Sequence, residues 1–197
     1  MAEKKKIFIL LGHPNADTLT GAMADAYEMG ALEAGHEVRR QNIGEMKFDP
    51  ILHKGYKVIQ ELEPDLKTFQ ENVKWADHLV FLYPNWWATM PALMKGLIDR
   101  AWLPGFAFNF KKIMGLFPSW MMRLTGKSAR VIILANIHPW ATWFLFGNFT
   151  NELARATLKF SGIRPVRIRI LTPSEKASPA KIASWIEEVR NMGKRAR

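Results

Sequence analysis

Three runs constrain this chain more than any other feature: Ile7-Phe8-Ile9-Leu10-Leu11, His78-Leu79-Val80-Phe81-Leu82-Tyr83 and Arg130-Val131-Ile132-Ile133-Leu134-Ala135. Each has the length and the β-branched or aromatic content of a strand, and near-continuous apolarity instead of alternation means that both of its faces are covered. Between them lie helical patterns. From about Thr18 to Ala34 the residues Leu19, Met23, Ala26, Tyr27 and Leu32 recur at helical spacing, with Gly35 where a C-terminal cap belongs. The spacing predicts a weak helix or two over 56–75, a helix opened by Pro91 and reaching Trp102, a helix over 150–160 and a last one over 178–192. His36–Ile43 reads as a more polar strand and Pro165–Leu171 as the fifth.

Alternating strands and helices with apolar central strands require a parallel sheet covered on both faces, because right-handed crossovers are nearly obligatory. A polar second strand belongs at an edge. The expected fold is therefore α/β, a flavodoxin-like doubly wound five-stranded parallel sheet of order 2-1-3-4-5 in three α/β/α layers. One domain over 1–197 is expected, with 103–127 an aromatic and Met-rich excursion and 194–197 a basic tail. Ligands of such sheets sit beyond the strands' carboxyl ends where the strand order reverses, which selects loops 12–20 and 84–90, with 136–148 as a third wall.

Composition narrows the chemistry. The chain has no cysteine, so disulfides, thiolate metal sites, iron–sulfur clusters and a Cys nucleophile are excluded. The run after Lys6 is too short for a signal peptide or a membrane span, which reads as a soluble, cytoplasmic chain. The net charge is +10, and 155–197 carries eleven Lys or Arg against three acids. A solvated helix face with a ragged basic end accounts for that surplus, and no helix-turn-helix, RRM or finger pattern points to nucleic acid.

Gly12-His13-Pro14-Asn15-Ala16-Asp17-Thr18-Leu19-Thr20-Gly21 joins a buried strand to a helix, so it presents unpaired N–H groups at the positive end of a helix dipole. An anion belongs there. Thr18, Thr20, Asn15 and His13 can add donors while Asp17 has to point away; the plain alternative is a helix cap at Asp17 or Thr18 with His13 packed on the turn. The loop is neither a Walker loop nor the dinucleotide fingerprint, and Gly126-Lys127-Ser128 fails as a Walker end because Met121 stands where its first glycine must be. In Tyr83-Pro84-Asn85-Trp86-Trp87-Ala88-Thr89-Met90-Pro91, two adjacent tryptophans cannot both face the core. At least one indole is expected at the surface as a stacking platform for a flat conjugated ligand, packing of both under a neighbouring helix being the alternative.

Gly12-His13-Pro14-Asn15 with Thr18-Leu19-Thr20, Tyr83-Pro84-Asn85-Trp86-Trp87, Met90 to Gly96, Asp99-Arg100 and Pro104-Gly105-Phe106-Ala107-Phe108 resemble the flavodoxin-like NAD(P)H:quinone oxidoreductases, including their bacterial drug-activity-modulator and potassium-efflux-ancillary branches. The likeness runs in order along almost the whole chain. It implies that His13, Asn15, Thr18, Leu19 and Thr20 hold a flavin's phosphate or pyrophosphate, that Pro84, Asn85, Trp86 and Trp87 frame its ring system, and that Asn136 adds a contact. Trp86, Trp87, Phe106, Phe108 and Trp140 are expected to wall the substrate pocket. FAD is slightly favoured over FMN, from the His13 resemblance.

One departure matters. The best-known animal members have a Thr-Thr-Gly-Gly run followed by a Tyr and a His that assist charge transfer, where this chain reads Ala135-Asn136-Ile137-His138-Pro139-Trp140. That pair is not carried over. His138 is the candidate catalytic residue of the loop, a structural histidine being an equal reading. The implied reaction is a hydride passed from NAD(P)H to the flavin's N5 and then to a quinone, with ping-pong kinetics, since flavins carry this chemistry and the protein supplies position and electrostatics.

The aromatic runs 106–122 and 140–149 are too short to span a membrane. Beside a ligand site they point to a homodimer closing over the flavin, loose membrane contact or an internal lid being minor readings. A flavodoxin-type electron carrier, usually acidic, is disfavoured by the basic charge. A flavin-bearing regulatory subunit of a membrane transporter is the alternative function, and no metal site is expected.

Overall fold

The computed structural model describes residues 3–113 and 117–197. Five parallel strands form one sheet: β1 (Lys6–Leu11), β2 (Glu37–Asn42), β3 (His78–Pro84) and, later in the chain, Ser128–Leu134 and Val166–Leu171. Two further strands, β4 (Phe108–Ile113) and β5 (Phe117–Met122), pair antiparallel as a separate ribbon, so the last two sheet strands are β6 and β7. The sheet order β2-β1-β3-β6-β7 is the expected 2-1-3-4-5 with the ribbon inserted. The ribbon lies within 103–127, the stretch expected to be an aromatic and Met-rich excursion, and residues 114–116 of that stretch lie outside the described residues.

The apolar runs divide at every second residue between two cores. Phe8 and Leu10, Leu79 and Phe81, and Val131 and Ile133 face one layer, with Leu66, Phe69, Leu97 and Trp102. Ile7, Ile9, Leu11, Val80, Leu82, Ile132 and Leu134 face the other, where α1 (Leu19–Glu33) supplies Met23 and Tyr27 and α5 (Pro179–Arg195) supplies Trp185 and Val189. All seven residues of β3 are buried, which is why its sequence shows no alternation. β2, a sheet edge, is the polar strand.

Helices α2 (Pro64–Trp75) and α3 (Ala92–Ala101) lie near the expected positions. Buried Arg100 fastens α3 to the loop before α2: its guanidinium bonds the Glu63 carboxylate at 2.8 Å, the Glu61 carbonyl at 2.9 Å and the carbonyl of Asp49. Segment Glu152–Lys159 winds as a π-helix, with Phe160 N–H bonded to Arg155 O at 3.1 Å. Where the sequence predicts a loop, a helix, α4 (Pro139–Phe146), follows β6. Its sequence PWATWFLF is apolar all round, so no period betrayed it, although Pro139 at its first turn is a proper start signal. No described helix is long and apolar enough to cross a membrane.

Candidate functional site

At the carboxyl ends of β1, β3 and β6 the chain leaves the sheet in three loops that meet at the reversal of strand order. The first is drawn tight by its own side chains. His13 Nδ1 accepts the N–H of Asn15 at 2.9 Å, Asn15 Oδ1 accepts that of Asp17 at 3.0 Å, and Thr18 Oγ1 caps α1 by accepting that of Gly21 at 3.3 Å. The capping role weighed for Thr18 is thus present. Capping uses one of the orphan first-turn amides, and Leu19 and Thr20, whose amides are two of the others, line a cavity. Asp17 is exposed and off that wall, as an anion site there requires.

The path of this loop depends on missing side chains. A Cβ on Gly21 would stand 1.8 Å from the Ala16 carbonyl oxygen, and one on Gly44 would stand 1.8 Å from that of Pro14. Both positions therefore demand glycine by close approach of backbone.

The second loop turns abruptly. Trp86 and Thr89 exchange two backbone hydrogen bonds of 3.0 Å, and the central residues Trp87 and Ala88 both have positive φ, +52° and +59°. That is the backbone of a two-residue hairpin turn usually filled by Asn-Gly. Trp87 is 99% exposed and Trp86 is 44% exposed, so the surface indoles expected from the sequence are present. Holding a non-glycine pair in this region costs about 1–3 kcal/mol for each residue. Replacing the turn by Asn-Gly (Trp87→Asn with Ala88→Gly) is therefore expected to raise Tm by roughly 4 °C or more while lowering turnover, which thermal denaturation beside an activity assay checks.

The two loops touch: the His13 and Trp86 rings stand edge to face with centroids 5.4 Å apart. A cavity of about 290 Å³ between them is walled by His13, Thr18, Leu19, Thr20, Pro84 and Asn85, with Trp86, Asn136, Ser174 and Glu175 completing it. A second, mostly apolar cavity of about 310 Å³ opens on the other side of Asn85. Trp87, Ala88, Asn136, Ile137, Thr142 and Phe146 line it. Asn85 and Asn136 thus border both cavities. Asn136 Oδ1 is fixed by Ser174 Oγ at 2.8 Å and by Glu175 N–H at 2.9 Å, whereas Asn85 Oδ1 is buried with no hydrogen-bond partner. A buried acceptor left unmet costs about 1–3 kcal/mol, so a ligand donor is wanted there. Behind the loops, burial and then the Glu152 carboxylate hold the Tyr83 phenol protonated far above its ordinary range, and Glu152 also bonds Thr89 Oγ1.

Not every expected residue comes to this rim. Phe106 is buried in the core, edge-on to Trp102 at 5.7 Å, because the chain folds inward before the β4–β5 ribbon. Phe108 lines a separate cavity with Trp102, Phe110 and Phe160. Trp140 and His138 are exposed at the start of α4, their rings 6.2 Å apart, and neither lines the two rim cavities. Sequence reasoning missed Ser174 and Glu175, although the rule that ligands gather at strand carboxyl ends applies equally to the loop after β7. Thr142 and Phe146 are hidden in the sequence because α4 has no apolar period, and Ile137 is one more apolar residue of the loop before it.

A doubly wound sheet of this order, with an indole-bearing loop at its switch point, defines a flavodoxin-like domain. The chain belongs to the flavodoxin-like family: a family model described as "Flavodoxin-like fold" matches residues 5–192. It is 28% identical over 223 residues to NAD(P)H dehydrogenase [quinone] 1 of Cavia porcellus, covering 98% of this chain and 78% of that protein. An uncharacterized NAD(P)H oxidoreductase of Escherichia coli (strain K12) is 30% identical over 118 residues, 54% of this chain and 57% of the relative. The crystal structure of Smu.1420 from Streptococcus mutans UA159 is similar at a TM-score of 0.80 and 29% identity, over 96% of this chain and 98% of that one.

Proposed function

We propose that this chain is an NAD(P)H:quinone oxidoreductase that holds a flavin nucleotide at the rim of its sheet. The observation that carries the reading is the meeting of the two loops at His13 and Trp86 around a cavity lined by the first-turn residues Leu19 and Thr20 of α1 and by the Trp86 indole. A phosphorylated flat ring is the ligand class that uses both. The Leu19 and Thr20 amides, with the Thr20 hydroxyl, would take the phosphate. Pro84, Asn85, Trp86 and Trp87 would frame the ring, whose polar edge offers the donor that Asn85 Oδ1 lacks. A bound flavin supplies the hydride-accepting and hydride-donating chemistry. The chain's own work is to position and desolvate. The apolar cavity beside Asn85 admits the nicotinamide and then the acceptor, one at a time, which gives ping-pong kinetics. The relatives' names support an enzyme over a transporter subunit.

The purified protein is expected to be yellow, to release FMN or FAD on heating, as identified by mass, and to oxidise NAD(P)H with a soluble quinone, giving parallel double-reciprocal plots. A colourless protein that stays colourless with either nucleotide would end this reading.

A second copy of the chain is the proposed cover for the exposed aromatics. Trp143, Phe144, Leu145 and Phe146 on α4 and Trp87 beside them are open to solvent, a patch that soluble monomers rarely keep. Light scattering should give the mass of a dimer, and Phe144→Glu, a change at a side chain 78% exposed, should give that of a folded monomer.

A further inference from the structure

The opposite ends of the strands gather a charge that the rim chemistry does not use. Lys4 and Lys5 lead into β1, Lys127 leads into β6, and Arg164 and Arg167 bracket the start of β7. With Arg197 they line a polar cleft of about 410 Å³, roughly 20 Å along the strands from the rim loops. Glu3 and Asp77 are the two carboxylates on its wall, and Asp77 Oδ2 already accepts the Lys6 N–H at 3.0 Å. Among the described residues none of the six cations forms an ion pair, whereas Arg40, Arg100, Arg169 and Arg190 elsewhere each hold a carboxylate.

What these cations do hold leaves their charge in place. Lys127 Nζ caps the end of α2 through the carbonyls of Lys74 and Ala76 at 2.7 and 2.5 Å, and Lys5 Nζ donates to Ala196 O at 3.0 Å. The guanidinium groups of Arg164 and Arg167 make no hydrogen bond among the described residues. Arg167 is the cross-strand partner of Arg130, whose Nε is buried without an acceptor. Burial holds Arg130 below its ordinary range; the Arg167 and Arg197 charges press the same way, while Tyr27 and Glu188 oppose them and a guanidinium N–H donates to the Arg197 carbonyl. An anion in the cleft would further offset the like charges crowded beside this partly buried arginine.

We propose that this cleft is a second anion site, which takes a small oligophosphate chain. Planar guanidinium pairs suit phosphoryl oxygens bidentately, and cations spread over a cleft of this size match a ligand with several phosphoryl groups better than a single ion. Among the described residues no aromatic side chain lines the cleft, so it offers no platform for a base, and a nucleotide would be held there by its phosphate tail alone. The Gly126-Lys127-Ser128 stretch thereby gains a role other than a Walker loop: it contributes positive charge, while Lys127 itself serves the backbone of α2. The site is independent of what binds at the rim.

Calorimetric titration with sodium tripolyphosphate at fixed ionic strength tests it. Binding is expected for the native protein and for Gly21→Ala, and Arg164→Gln with Arg167→Gln should weaken it by roughly ten- to a hundredfold. Both arginines are exposed, so the double variant should keep its native melt and its NAD(P)H turnover. ATP binding as tightly as tripolyphosphate means that the phosphate chain alone is read. The proposal is overturned if tripolyphosphate gives no heat and no rise in Tm, if the double variant binds unchanged, if Gly21→Ala abolishes binding and so places the anion at the rim, or if a short DNA duplex binds more tightly than tripolyphosphate.

Discussion

If the rim holds a flavin as proposed, Gly21→Ala is expected to give a protein that folds with reduced stability and binds flavin far more weakly. The new methyl group would lie 1.8 Å from the Ala16 carbonyl oxygen, and backbone cannot yield as a side-chain tip can. Either α1 slides outward or Pro14–Asp17 is pushed off its path. Both movements break the set of bonds that aims the loop, namely Asn15 to His13, Asp17 to Asn15 and Gly21 to Thr18. Overpacking of this kind costs about 1–3 kcal/mol of stability. The larger loss is in the proposed ligand: two amide bonds to a charged phosphate would be worth about 1.5–3 kcal/mol each, so flavin affinity should fall at least about a hundredfold. Quenching of flavin fluorescence measures the affinity, and urea denaturation measures the stability. Native affinity in the variant would show that the first loop does not hold the phosphate.

The reason this position carries so much is also the reason it was only half visible in the sequence. The loop's place at the mouth of a buried strand followed from the apolar run before it and the helical period after it. Those are local signals, and the strand order followed from the contrast between apolar β1, β3 and β6 and polar β2. The demand for glycine at 21 arises where the loop turns the Ala16 carbonyl back onto α1, and the demand at 44 arises where Pro14 meets it across the fold; sequence spacing encodes neither approach. The same holds for the pocket wall. That at least one of Trp86 and Trp87 is exposed is legible because adjacent residues of an extended chain point opposite ways. Phe106 and Phe108 look equally available in sequence, yet Phe106 turns into the core against Trp102 and Phe108 packs at 5.0 Å against Phe160 from a distant helix. Periodicity could not reveal α4, since a helix with aromatics on every side has no apolar stripe to detect.

His78 should make the fold sensitive to acid in a window where few other groups act. It is fully buried at the start of β3, its ring stacked on Tyr27 with centroids 6.5 Å apart. Nδ1 lies 2.8 Å from Ser128 Oγ and Nε2 lies 3.1 Å from the Tyr27 hydroxyl. Burial first, then the positive charges of Lys5, Arg130, Arg167 and His36, pulls its pKa from an ordinary 6.5 to about 3. The native ring therefore stays neutral while the unfolded chain takes up a proton below pH 6.5. Between those values the unfolded state binds more protons, so the contribution of His78 is complete above pH 6.5 and is lost as the pH falls. The loss approaches about 1.4 kcal/mol per pH unit, or about 3 kcal/mol by pH 4.5, a large part of a typical folding free energy. The carboxylates that the fold holds below their ordinary values, Glu33, Asp49, Glu63 and Glu188, release their contributions only at lower pH. His78→Gln keeps a donor and an acceptor for Ser128 and Tyr27 but cannot titrate. Its urea midpoint should be lower than that of the native protein at pH 7.5 and nearly level from pH 6.5 to 4.5, where the native midpoint falls steeply. Buffers without phosphate are required, because an anion in the basic cleft would stabilise the native state by mass action. Parallel declines in the two proteins would assign the acid sensitivity to another group and return His78 to a packing role alone.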